Sequence, residues 1–214
     1  RLLLPLPCTF AVAITIAIGT TTAIGGNVNI NQNITTGSVA INGNITADDA
    51  VSIGTLTGGG VTITAATITS DNDGGNDDII ILADGAIQQL TSGVINAQTG
   101  AVRIHTDNND VTIYDVRSTG ANQLAAGGTL PGGNLAIVVE GNNVTMTDNN
   151  ANNITSTNGD VEVVANTGDI ALGDVSAVGQ SVFLEAVDQI TDNNSDAERN
   201  VEATTLTASA ANEI

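Results

Sequence analysis

Aromatic residues are almost missing from this chain: no Trp, one Tyr and two Phe among 214 residues. Lys is absent and Arg occurs only at positions 1, 103, 117 and 199, against 23 acidic residues, so the formal net charge is -19. One Cys allows no internal disulfide, and only three Pro occur. Each lack closes off a class of function. Four scattered Arg cannot build the basic patch that phosphate backbones require, which argues against nucleic acid and against anionic membrane surfaces. A glycosidase or sugar lyase would want aromatic platforms, paired carboxylates in one cleft or a Lys, and none of these stands out. Disorder is excluded from the other side: 41% of the residues are hydrophobic, enough to bury and offset chain entropy.

What the chain does hold is Val, Ile, Ala, Thr, Asn and Gly in short phrases. A turn-forming residue is followed by an aliphatic residue, any residue, and a second aliphatic residue. The phrase appears at Asn27–Ile30, Ser38–Ile41, Gly60–Ile63, Asp110–Ile113, Asn134–Ile137, Asn143–Met146, Asp160–Val163, Asp169–Leu172 and Ser181–Leu184. Ala50–Ile53 and Ala101–Ile104 differ only in the leading residue. Period-two alternation sends both aliphatic side chains to one face, as in strands buried on one side. Starts 9 to 12 residues apart, taken in pairs, predict a coil of roughly 19–23 residues. The expected fold is therefore all-β, a parallel β-helix or β-solenoid filled by layered Val, Ile, Leu and Ala. The alternative is an antiparallel β-sandwich, which would carry more aromatic core and clearer hairpin turns. The Asn-rich turns are expected to ladder from coil to coil.

The spacing lapses between Ile63 and Val102 and between Ile113 and Leu135, and both gaps read as loops projecting from the coil. Ile79–Leu82 resumes a strand after the first acidic stretch. Leu2–Gly19 is almost free of polar groups. Residues 1–26 are thus assigned to an apolar strand or cap, with an inter-subunit strand or a leftover secretion signal as the other readings, and residues 27–214 to the solenoid.

The phrases Asp169–Ala177, Ser181–Ala186, Asp188–Asp192 and Val201–Ala208 resemble the repeats of filamentous-haemagglutinin-type exoproteins. That resemblance implies a right-handed parallel β-helix shaft in a large, secreted, often adhesive bacterial surface protein. The motifs of that family's secretion domain contain Asn-Pro, whereas every Pro here follows Leu. The function expected is non-enzymatic and extracellular: a surface-adhesin shaft, or a filament subunit joined by strand exchange or end-to-end stacking. Partners would be further copies met head to tail, a longer parent chain, or a host or surface ligand, with no membrane insertion. The alternative is a calcium-stabilised ligand- or carbohydrate-binding module.

Candidate chemistry is sparse. Asp71, Asp73, Asp77 and Asp78 flank Gly74-Gly75, and oxygen ligands on a glycine-bent turn suit calcium. The spacing departs from the helix–loop–helix calcium pattern at its glycine and at its final Glu. Asp192, Asp196 and Glu198 form a second acidic stretch. His105 lies near Asp107, Asp110 and Asp115, but one His without a second is a poor metal or acid–base centre. It reads as an exposed side chain beside a turn. Arg103 and Arg117 are expected to pair with Asp115 or another carboxylate on the surface.

Overall fold

The computed structural model describes residues 15–32, 37–55, 58–70, 77–120, 134–148, 153–195 and 199–214. The chain winds through three short strands per turn. The first coil holds β1 (Thr15–Ile18), β2 (Thr21–Ala23) and β3 (Val28–Gln32). The second holds β4 (Ser38–Ile41), β5 (Ile45–Ala47) and β6 (Val51–Thr55). The third holds β7 (Val61–Ile63), β8 (Thr67–Ser70) and β9 (Ile79–Ala83). The fourth holds β10 (Ile87–Gln89), β11 (Val94–Ala97) and β12 (Val102–Thr106). The fifth holds β13 (Val111–Ile113), β14 (Val116–Ser118) and β15 (Leu135–Gly141). The sixth holds β16 (Val144–Met146), β17 (Ile154–Ser156) and β18 (Asp160–Ala165). In the seventh, β19 (Ile170–Leu172) leads into β20 (Val175–Ala186), which turns the corner without a break. β21 (Ile190–Asp192) and β22 (Val201–Ser209) lie beyond it.

Every strand pair among the described residues is parallel and joins a coil to the next, so the sandwich is excluded and the fold is a β-solenoid of about seven turns. The first face is an eight-stranded sheet, β1-β4-β7-β10-β13-β16-β19-β21. The other two faces join into a 14-stranded sheet through β20. Partner separations run from 20 residues (Ile170 to Ile190) to 28 (Val51 to Ile79), and widen to 33 (Val111 to Val144), 35 (Val102 to Ile137) and 38 (Val116 to Ile154) where residues 121–133 intervene.

The structure corrects the sequence reading in two places. A coil has three strands rather than two. The first supposed gap is also built strand, since β8, β10 and β11 lie inside it and β14 lies inside the second. Gly127–Gly133 falls outside the described residues. So does the stretch of the apolar amino-terminal segment in residues 1–14, whereas Thr15–Ile18 pairs with Ser38–Ile41 of its own chain.

The core is a set of columns running along the axis. On the first face Val39, Val61, Ile87, Val111, Val144, Ile170 and Ile190 stack in register, all buried. On the third face Val51, Ile79, Val102, Ile137, Val161 and Val182 do the same. Each such side chain contributes about 1.5–3 kcal/mol on burial, before entropy is subtracted. The second face is thinner. Its first inward column is Ile45, Ile68, Ile95, Val116, Ile154 and Val175, all buried, but the second inward position of each strand holds only Ala47, Ser70, Ala97, Ser118, Ser156 and Ala177.

The corners are laddered by side chains, but by Asp more than by Asn and onto backbone N–H groups instead of from amide to amide. At the corner leading into the first face, the Asp110 carboxylate accepts from the Asn143 N–H at 3.2 Å. Asn143 Oδ1 then accepts from the Asp169 N–H at 2.9 Å, and Asp169 Oδ1 from the Gln189 N–H at 3.1 Å. At the corner leading into the third face, Asn27 accepts from Ala50, Asp78 from Ala101 and Asp160 from Ser181, each at 2.8 Å. A turn oxygen thus takes the N–H one coil on, where the strand ladder would otherwise lapse.

Candidate functional site

Alternation along β12 sends Val102, Ile104 and Thr106 into the core and Arg103 and His105 outward. The outward pair opens on a surface groove of about 480 Å³, lined by Thr55, Leu82, Asp84, Arg103, His105 and Asp107. Leu82 comes from β9, the coil before, and Asp84 from the turn that follows it.

His105 sits between two carboxylates. Its Nδ1 lies 2.8 Å from Glu140 Oε2 and its Nε2 lies 2.8 Å from Asp107 Oδ1. The His105 and Glu140 side chains are 20% and 18% exposed, while that of Asp107 is 71% exposed. Neutral imidazole has one N–H, so both contacts are hydrogen bonds only when the ring is the imidazolium. Glu140 is paired across from His105 in the parallel register of β12 and β15, and its other oxygen accepts from Asn166 Nδ2 at 3.1 Å.

Arg103 lies one step from His105 on the outer side, where its neighbours in register are Ile80 below and Val138 above. Its Nε is shielded from solvent and has no hydrogen-bond partner among the described residues. The two other arginines among those residues are paired. Arg117 clasps Asp115 through Nε at 2.7 Å and through its terminal amine at 2.5 Å, and Arg199 meets Glu202 at 3.4 Å. The hydrogen bond to Asp115 raises the Arg117 value above the usual guanidinium level, against a smaller lowering from burial.

The residues singled out in the sequence separate accordingly. His105 meets Asp107 but neither Asp110, which caps Asn143, nor Asp115, which holds Arg117. It is largely buried rather than exposed. The pairing expected of Arg117 is present, and no ion pair of Arg103 occurs among the described residues. Sequence reasoning misses Glu140 because it stands one coil away, 35 residues along the chain, and nothing local marks it.

Of the calcium candidates, Asp71 and Asp73 lie outside the described residues. Asp77 is fully buried, its Oδ2 accepts from the Thr99 hydroxyl, and its Oδ1 has no partner among the described residues. Asp78 instead turns along the axis to the Ala101 N–H. No group of three or more His, Cys, Asp or Glu that could hold a metal occurs among the described residues. In the second acidic stretch Asp196 and Glu198 lie outside them. Asp192 accepts from the Asn194 N–H at 2.8 Å and from Asn200 Nδ2 at 2.9 Å, and these two bonds hold its carboxyl below the ordinary range.

No protein family, characterised protein or solved structure compared with the chain matches it.

Proposed function

We propose that the chain is a non-enzymatic, extracellular structural protein, the shaft of a surface adhesin of the filamentous-haemagglutinin type or a subunit of an extracellular filament. The observation that carries this reading is the unbroken parallel ladder, with each coil bonded to the next on all three faces. Such a stack resists bending because every coil shares its hydrogen bonds and its aliphatic columns with two neighbours. The acidic composition keeps a long apolar-cored rod soluble and discourages side-by-side association.

At the carboxy-terminal end Leu206 is 51% exposed and Ile214 72% exposed, beside Leu172, Ile190 and Val201. Leu206 continues the inward column of Val182, and in this reading a coil stacked upon it, from the parent chain or from another copy, covers these side chains. Electron micrographs of negatively stained native material test the proposal. Slender isolated rods support an adhesin shaft, long uniform fibres support a filament, and compact globules overturn both.

A second reading, a calcium-stabilised binding module, is favoured by one observation. Asp77 keeps a buried carboxylate oxygen without a hydrogen-bond partner among the described residues, and an oxygen so placed suits a hard cation. Thermal melting with and without chelator tests it, and an unchanged midpoint counts against it.

A further inference from the structure

We propose that the groove on the outer side of the third face is a binding site for a polyhydroxy carboxylate, an acidic sugar of the uronate class, whose carboxylate is held by Arg103. Three observations converge. Arg103 lines the groove with its Nε shielded from water and without a hydrogen-bond partner among the described residues. The shielded Nε is closed to the groove, so a ligand meets the guanidinium at its terminal amines, and a planar carboxylate is the group that satisfies that fork.

The acids around Arg103 are engaged elsewhere. Glu140 is divided between His105 and Asn166. Asp107 is turned to His105 through Oδ1, and Asp84 to the Gly58 N–H through Oδ2. The positions directly above and below Arg103 are Val138 and Ile80. Its charge is thus left for a ligand in a protein that otherwise carries a large negative excess.

The same acids shape the rest of the ligand. Asp84 and Asp107 each present a second carboxylate oxygen that no hydrogen bond among the described residues uses. These oxygens repel a bare inorganic anion but accept from hydroxyls. The half-exposed Leu82 offers an apolar wall for the C–H face of a ring. A volume of about 480 Å³ accommodates one or two sugar rings. A guanidinium with no ion-pair partner among the described residues, two open acceptors and an apolar wall together select a molecule bearing both a carboxylate and hydroxyls.

The site does not depend on the shaft reading, since a groove without a ligand would leave the ladder intact. The test is titration of the full chain with D-glucuronate, D-glucose and inorganic sulfate, followed through the Arg103 Nε–H resonance and by calorimetry. Saturable binding of glucuronate, with Kd on the order of 0.1–1 mM, and little response to glucose or sulfate is the expected result. Arg103→Gln should weaken glucuronate binding about tenfold or more, while the melting midpoint stays close to that of the parent. The Nε–H shift in the unaltered protein stands even if that variant folds poorly. No saturable glucuronate binding at tens of millimolar, equal binding of glucose or sulfate, or full binding by a folded Arg103→Gln protein would overturn the proposal.

Discussion

The side chain of Gln89 and the backbone of Asp115 bond reciprocally: Gln89 Nε2 donates to the Asp115 carbonyl at 2.7 Å, and Gln89 Oε1 accepts from the Asp115 N–H at 3.2 Å. The same amide also donates to the Gly93 carbonyl at 2.9 Å and accepts from the Tyr114 N–H at 2.9 Å. Gln89 is 1% exposed and stands in a column whose nearest members are aliphatic, one coil above Ile63. All four of its hydrogen-bonding positions are filled. It ties the corner of its own coil to the corner of the next.

Gln89→Leu keeps the bulk and suits the column, yet it strands the Tyr114 and Asp115 amides in the interior. The expected loss is about 2–5 kcal/mol. Chemical denaturation shows the loss, and hydrogen exchange places it, with faster exchange at Tyr114 and Asp115. If the variant were as stable as the parent, the clamp would be incidental to the fold.

Asn153 forms the equivalent clamp in the following coil. Its Nδ2 donates to Tyr114 O at 3.0 Å and to Thr147 O at 2.7 Å, and its Oδ1 accepts from the Asp174 N–H at 3.0 Å. Asn153→Asp preserves the acceptor but replaces the donor with a charge facing two carbonyls. It should cost roughly 2–4 kcal/mol at neutral pH and recover partly in acid, when a protonated carboxyl can donate again. Asn153→Ala, which cannot recover, is the control in the same melting series.

These clamps explain which regions of the fold can be read from sequence. The doubled aliphatic phrase marks strands of the first and third faces, where positions such as Val61 and Ile63, or Val161 and Val163, are both buried. On the second face the later inward position is Ala or Ser, as in Ile45-Thr46-Ala47 and Val116-Arg117-Ser118. Those strands carry one large anchor each and look like turns. A third of every coil is therefore invisible to the aliphatic pattern, which shows two strands per coil where the fold has three. The groove is harder still. His105 and Arg103 are visible as rare residues, but Glu140 and Leu82 reach them only through inter-coil register, which depends on the lengths of the turns between.

Two glycines should respond to alanine for different reasons. Gly179 turns the corner inside β20 with φ of +84° and open space around it. There Ala costs only the left-handed backbone conformation, roughly 1–2 kcal/mol. At Gly100 a Cβ would collide with the Asp77 carbonyl of the preceding coil, whose position is fixed by the ladder. Gly100→Ala should cost roughly 3 kcal/mol or more. Melting both variants side by side checks the ordering, and a reversal would mean the coils can separate at that corner.

Acid should loosen the last coil through Asp192. Its carboxylate accepts from the Asn194 N–H and from Asn200 Nδ2, so its value in the folded protein lies below the ordinary 3.8. A carboxyl depressed by folding adds stability that is complete above its unfolded value. That contribution fades as the pH falls through the lowered one. The side chain is exposed, so the effect is local and small. Protection against hydrogen exchange along β21 and β22, measured relative to the intrinsic rate at each pH, should therefore fall as the pH drops below about 4. Asp192→Asn keeps an acceptor oxygen without a titrating proton and should flatten that dependence. If β21 and β22 loosen identically in both proteins, the acid response arises from other carboxylates and the Asp192 turn does not contribute to it.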